Sequence, residues 1–433
     1  MQNTSYLPEV KEQYEDFPYP PRKAEDERRF LRAAITECLD ALNHFGFGGR
    51  RNFHQNFRAL IAGGGTGDSV IFLAEQLRNT QAEIIYLDMS RASMEVAQAR
   101  AEVRDLHNIR WINASLLEVP TLGLGEFDYI NCTGVLHHLE NPDAGLKALT
   151  DVLAPNGVMG LMLYGKHGRT AIYQMQELLR MLAGEETPDN KIEIAKRVLH
   201  QLPKTNWFMH SAPWFNDFKN GDAALYDLLL HSQDRAYSIP ELYEYVQTAG
   251  LKVAEFLGHN ACDPAQYIKD DSMLARVREK ELAEQYAIGE LLGGTASKHT
   301  FYATREVKAP PAPDDLDMIP SLPVNTPPTL YNQLYELAVS QPKGIVFRTE
   351  NRTIRVPFHA AIAPFVKYMD GKRTLKEIYT KATTRGNIKR TELQEAFAIL
   401  YEVLTPAQML FLRHKDVPYY LTTQEMQQRL QSE

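Results

Sequence analysis

The chain lacks any apolar run near the ~20 residues of a membrane-spanning helix, so no span is expected. Its first residues carry neither a basic head nor an apolar core, and no secretory signal is read there. Cysteine is scarce: Cys38, Cys132 and Cys262 stand far apart. They make no metal pattern and read as reduced thiols of a cytoplasmic protein. No internal repeat is found, and no Gly-Lys-Ser/Thr phosphate loop accompanies the glycine-rich turn. Net charge is −8 over 433 residues, but unevenly placed. From Lys343 to Lys415, fourteen Lys/Arg face six Asp/Glu, which leaves the remainder acidic at −16. A basic module on an acidic body can meet an acidic partner or be a solvated charged face.

What is present is organised around Leu60-Ile61-Ala62-Gly63-Gly64-Gly65-Thr66-Gly67-Asp68. It reads as a buried strand, a glycine turn, and a helix opened by Asp68. Glycines without Cβ atoms would let a ligand reach the backbone, and the helix N-terminus adds free N–H groups. The nicotinamide fingerprint wants a third glycine or alanine three residues after the second, and both registers fail, at Asp68 and at Val70. A second strand, Glu83 to Asp88, ends on a carboxylate about twenty residues later. There Asp88 can accept both hydroxyls of a ribose, each charge-assisted bond contributing roughly 1.5–3 kcal/mol. The alternative, a helix cap, can be filled by Ser90. Further strands are expected at 109–112, 127–132, 158–163, 251–257 and 299–307, with Pro155-Asn156-Gly157 as a turn. Alternation with helices at 91–105 and from Pro142 makes a parallel, doubly wound sheet.

The glycine run, Asp88 and the segment Thr133-Gly134-Val135-Leu136-His137-His138-Leu139 together resemble the class I S-adenosylmethionine-dependent methyltransferases. The resemblance covers most of residues 10–308. It implies a seven-stranded sheet with an antiparallel last strand, and S-adenosyl-L-methionine as cofactor. It places that cofactor on Gly63, Gly64, Gly65, Gly67, Asp88, Met89, Ala114, Ser115 and Thr133. Two departures bear on it: Ser115 stands where the family often has an aspartate for adenine, and Ile61 where many members have an acidic residue. Tyr164, directly after the fifth strand, is expected to face the transferred methyl. His137 and His167 are the other catalytic candidates, His137 rather than His138 being taken as site-facing. No metal is expected, because a sulfonium needs none.

Around that body, residues 1–56 read as an N-terminal lid segment and helix. Residues 10–22 are expected to be a stiff aromatic segment rather than a helix, with Tyr14 or Tyr19 closing over the cofactor. A helix is expected at 25–43. The methyltransferase domain is read as 57–308, with a helical insert at about 168–235. Its Trp207-Phe208 and Trp214-Phe215 are core or pocket wall, and Asp234, Arg235 and Tyr237 an ion pair or a substrate loop. Helices are expected at 263–269 and 271–291. Residues 309–328 read as a Pro-rich linker and 329–433 as a mostly helical, winged-helix-like domain. This layout looks like the protein-lysine methyltransferases that act on rickettsial outer-membrane proteins. It implies a protein or peptide acceptor, a lysine amine among the options. A small-molecule enzyme with a dimerising tail, or a non-catalytic adaptor, are the alternatives. A nucleic-acid substrate is disfavoured by the acidic body.

Overall fold

The computed structural model describes residues 8–211, 217–258, 262–327, 329–341, 343–349, 352–385 and 388–432. Two compact units divide the chain. The first takes Met1–Glu27, Arg58–Ile71 and Ile84–Arg305; the second takes Arg28–Phe57, Phe72–Glu83 and Glu306–Glu433.

The first unit is built on a sheet of β1 (Arg58–Ala62), β2 (Glu83–Asp88), β3 (Ile109–Asn113), β4 (Phe127–Thr133), β5 (Leu153–Gly165), β6 (Ala236–Tyr237), β7 (Lys252–Leu257) and β8 (Lys298–Thr304). Its order is β3-β2-β1-β4-β5-β8-β7, with the two-residue β6 pairing alongside β5. The pairs β2–β3, β1–β4 and β4–β5 are parallel, while β8 runs antiparallel to both β5 and β7. The sheet is therefore of methyltransferase order. Strands β1 and β2 read as continuous apolar runs because helices cover both faces, leaving Leu60, Ile61, Ile85 and Tyr86 without exposure. Fully burying such a side chain contributes roughly 1.5–3 kcal/mol. The order reverses between β1 and β4, and a crevice opens at the carboxyl ends of the strands there.

Several expectations are corrected. Residues 10–22 are not helix-free: Pro8–Asp16 is a helix, with Val10 and Gln13 buried. Pro8 sits in its first turn, where a missing N–H costs nothing, and Pro18, Pro20 and Pro21 all follow its end. The helix expected at 25–43 is instead a broken series: Ala24–Arg28, Ile35–Glu37, Leu39–Ala41 and Leu42–Gly46. Its polar residues bond locally to side chains and main chain, as with Thr36 on Glu37 and Asp40 on Ala41 and Val324. The Pro155-Asn156-Gly157 turn survives only as a bulge inside β5, where the β4–β5 register jumps between Phe127 and Tyr129. The helix expected at 271–291 divides into Asp271–Arg278 and Leu282–Gly293, and 263–269 shrinks to one short turn at Pro264–Gln266.

The insert forms its own small core, with Ile172, Met175, Leu179, Phe208 and Leu229 packed together. In the second unit, helices Leu330–Ser340, Ile362–Val366, Leu375–Arg385 and Arg390–Leu404 surround one core with Phe365 and Phe397 at its centre. The stretch read as a linker carries β9 (Met318–Ser321), and a hairpin follows from β10 (Ile345–Thr349) and β11 (Arg352–Val356). Strand β12 (Phe411–His414) closes antiparallel on β9. No helix among the described residues is long and apolar enough to cross a membrane.

Candidate functional site

The turn after β1 is held by main chain first. The N–H groups of Gly63 and Gly64 both donate to the Leu87 carbonyl, at 2.7 and 3.2 Å. Gly65, at φ +51°, donates its N–H to Asp88 Oδ2 at 2.7 Å, and the Tyr86 hydroxyl donates back to the Gly65 carbonyl. The sequence assigns the space above these glycines to a ligand; the structure gives much of it to the protein. A Cβ on Gly63 would lie 2.4 Å from Val135, and one on Gly64 2.2 Å from the Tyr86 ring. One on Gly65 would meet the Tyr19 carbonyl at 2.7 Å.

Above this turn lies a cavity of about 520 Å³, within the usual size of a small-molecule site. Gly63, Gly64, Gly65, Asp88, Met89, Ala114, Ser115, Thr133, Tyr14 and Tyr164 all line it. Gly67 does not; it turns instead against Ala97 of the helix Arg91–Val103. Ser90 caps that helix, accepting from the Ser93 N–H, so Asp88 is not needed there. Asp88 is buried and its carboxyl is pushed up to about 6 by that burial, against the N–H groups of Ser90 and Gly65. The Ser115 oxygen caps the turn Leu116–Thr121 while its own N–H donates to Glu118. Ile61 is fully buried and offers no polar group.

The N-terminal segment arches over the glycine turn. Thr66 donates its N–H to the Tyr19 carbonyl and its hydroxyl to the Pro20 carbonyl. Arg22 pairs with Asp68 at 2.6 Å, and Asp68 also takes Arg100 at 2.8 Å. Burial raises the Asp68 carboxyl, but the two guanidiniums outweigh it and hold it low.

The far end of the cavity is lined by Tyr14, Tyr164, His138, Arg169 and Asp227. Tyr14 donates its hydroxyl to Asp227 Oδ1 at 3.1 Å and lies 3.3 Å from His231 Nε2. The Arg169 guanidinium rests 3.5 Å over the Tyr164 ring and pairs with Asp234 at 2.9 Å, both partners buried. Burial, and then Asp227, push the Tyr164 phenol well above its ordinary range, so it stays protonated.

Two catalytic candidates are not at this wall. His137 lies behind Tyr164, stacked on its ring at 3.8 Å, fully buried, and it does not line the cavity. The short turn Leu136–His138 swings the next residue inward, so His138 faces the cavity in its place. His167 stands away from the cavity, 4.0 Å from Glu290. Of the insert aromatics, Phe208 is core and Trp207 is exposed; neither lines the cavity. Trp214 and Phe215 lie outside the described residues. Sequence reasoning missed Asn131, Arg169 and Asp227, which all line the cavity. Only Asn131 gave a signal, as a polar residue in a buried strand. Asp234 pairs with Arg169, outside the loop in which its ion pair is expected, while Arg235 lies over the Tyr237 ring.

A methyltransferase-domain family profile matches residues 60–159. An uncharacterized protein of Synechococcus sp. is 31% identical over 305 residues, spanning 67% of this chain and 70% of that one. The tRNA 5-carboxymethoxyuridine methyltransferase of Escherichia coli K12 is 32% identical over 115 residues, 26% of this chain and 42% of its own length. Among solved structures, PKMT2 from Rickettsia typhi in complex with AdoHcy superposes with a TM-score of 0.63 at 17% identity, covering 88% of this chain and 76% of that one.

Proposed function

Because the chain belongs to the class I S-adenosylmethionine-dependent methyltransferases, we propose that it methylates an amine on a protein or peptide. The observation that carries this reading is the chemistry at the two ends of one cavity. Asp88 and the glycine turn stand at one end; Asp227, with the rings of Tyr14 and Tyr164, stands at the other. A carboxylate beside the Tyr14 ring suits a cationic or amine-bearing side chain, while the Tyr164 ring is itself packed by Arg169 and His137.

We assign Asp88 to the ribose hydroxyls, Met89, Ala114 and Ser115 to the adenine, and Gly63–Gly65 with Thr133 to the remainder of the cofactor; Tyr14, whose carbonyl accepts from Ser90 and whose hydroxyl donates to Asp227, borders both ends. When bound, S-adenosyl-L-methionine supplies an electrophilic methyl group on sulfur. The chain's part is to line up the acceptor, exclude water and leave the nitrogen lone pair free. A lysine ammonium must first lose a proton, at roughly 4–5 kcal/mol from its reference pKa at pH 7. Burial in this cavity and the Arg169 cation work for that loss, and Asp227 works against it. The fold likeness to PKMT2 spans both units of the chain and supports a macromolecular acceptor, with the basic second unit as its docking surface.

The test is to incubate the full chain with tritiated S-adenosylmethionine and a cell lysate. Label is expected in protein bands and to survive the base treatment that removes methyl esters. Label confined to RNA or to small molecules would reject the acceptor class.

A further inference from the structure

His138 and His231 stack face to face, their ring centroids 3.8 Å apart. Both are buried, as is Asp227 beside them. Their possible ligand atoms lie within 4.8 Å of one another, the arrangement of a candidate metal trio. The hydrogen bonds argue otherwise. The His138 Nδ1 lies 2.8 Å from the Gln233 carbonyl, so it must carry a proton and donate. The Gln233 N–H donates to His231 Nδ1 at 3.1 Å, so that nitrogen must be bare. One peptide residue thus sets opposite tautomers in two neighbouring rings. In the neutral rings, His231 carries its proton on Nε2 and spends it on Tyr14, which in turn donates to Asp227. His138 keeps an open lone pair on Nε2. A metal on His231 Nε2 would require Nδ1 to give up the Gln233 N–H.

We propose that His138 Nε2 is the group that receives the N–H of the acceptor amine, while the chain His231–Tyr14–Asp227 holds the wall beside it in place. This rests on the amine reading above. The amine enters neutral. Its lone pair forms the bond to the methyl carbon as the carbon–sulfur pair withdraws onto sulfur, so the positive charge passes from sulfur to nitrogen. No proton need move in that step. As charge grows on nitrogen, its N–H donates more strongly to His138, which makes the contact stronger in the transition state than before it. Burial, with the nearby Arg169, holds His138 down to about 4, so the ring stays neutral and its lone pair available. A hydroxyl acceptor would need a stronger base than that.

Two readouts test it on the full chain with AdoHcy or cofactor. Long-range ¹H–¹⁵N spectra of ¹⁵N-histidine protein bound to AdoHcy, assigned with His138→Gln and His231→Asn, are expected to show Nδ1–H on His138 and Nε2–H on His231. In the tritium assay on the lysate protein fraction, His138→Leu is expected to lower the labelling rate at saturating cofactor about 100-fold. His138→Gln, which keeps an acceptor atom, is expected to recover most of that, and AdoHcy affinity to stay within about threefold in both. The reverse tautomers, unchanged turnover in His138→Leu, or a stoichiometric metal that His231→Asn abolishes would each overturn the proposal. If label goes to a small-molecule amine, the protein-acceptor reading fails, and a His138→Leu loss on that amine still supports the assignment. Label on a carboxylate overturns both.

Discussion

Asp88 and Gly65 are tied by a 2.7 Å hydrogen bond, from main-chain N–H to Oδ2, so the end of β2 and the turn after β1 form one rigid piece. The pH response follows from the burial that pushes Asp88 up to about 6, above its reference value near 3.9. The folded chain therefore takes up a proton between about pH 4 and 6 that the unfolded chain does not hold. Ionised Asp88 lowers stability as pH rises through that window, rather than raising it. In the ribose role proposed above, what the ionised form supplies is ligand affinity. AdoHcy binding by calorimetry is expected to be flat above pH 7 and to weaken about tenfold by pH 5, where a profile without a break would contradict the ribose role. Asp88→Asn should bind at least tenfold more weakly and without that pH dependence.

Glu27 joins two arginines in the interior. Arg100 donates Nε and Nη2 to Oε1, and Arg104 pairs with Oε2, with all three residues buried. Removing the one carboxylate takes it from both guanidiniums at once, leaving Arg100 with Asp68. Glu27→Gln is expected to cost about 3–5 kcal/mol in urea unfolding. A variant with the parent's midpoint would show that the network is replaceable.

Gly67 and Gly65 separate packing from binding. Gly67 has φ +101°, and a Cβ there would come within 2.8 Å of the Ala97 Cβ. Gly67→Ala is expected to lose about 1–3 kcal/mol of stability while changing AdoHcy affinity less than threefold. Gly65→Ala, which would press on the Tyr19 carbonyl over the cavity, is expected to weaken AdoHcy by more than tenfold. Equal effects of the two on affinity would mean that Gly67 belongs to the site after all.

The sheet was readable because its strands are nearly unbroken apolar runs and its turn is punctuated by glycine. The same periodic signal located Asp88 and Tyr164. His137 and His138 could not be separated, since one short turn decides which ring faces the cavity, and that geometry leaves no period in the sequence. Asp227 was invisible for another reason: it sits on a helix of the insert, about sixty residues past the end of β5, and reads as an ordinary helix carboxylate. The series from Ala24 to Gly46 misled because a run of apolar residues at helical spacing also contains Glu27, Glu37 and Asp40, whose bonds go elsewhere.

The cavity draws its two ends from different tracts of chain. Asp88 ends β2 and the glycines follow β1, whereas the other end joins Tyr14 of the first helix, His138 after β4, Tyr164 of β5 and Asp227 of the insert. Selection can therefore alter one side of the acceptor end by editing the insert, without retuning how the shared methyl donor is gripped. Related enzymes with divergent acceptors should differ more around Asp227 than around Asp88.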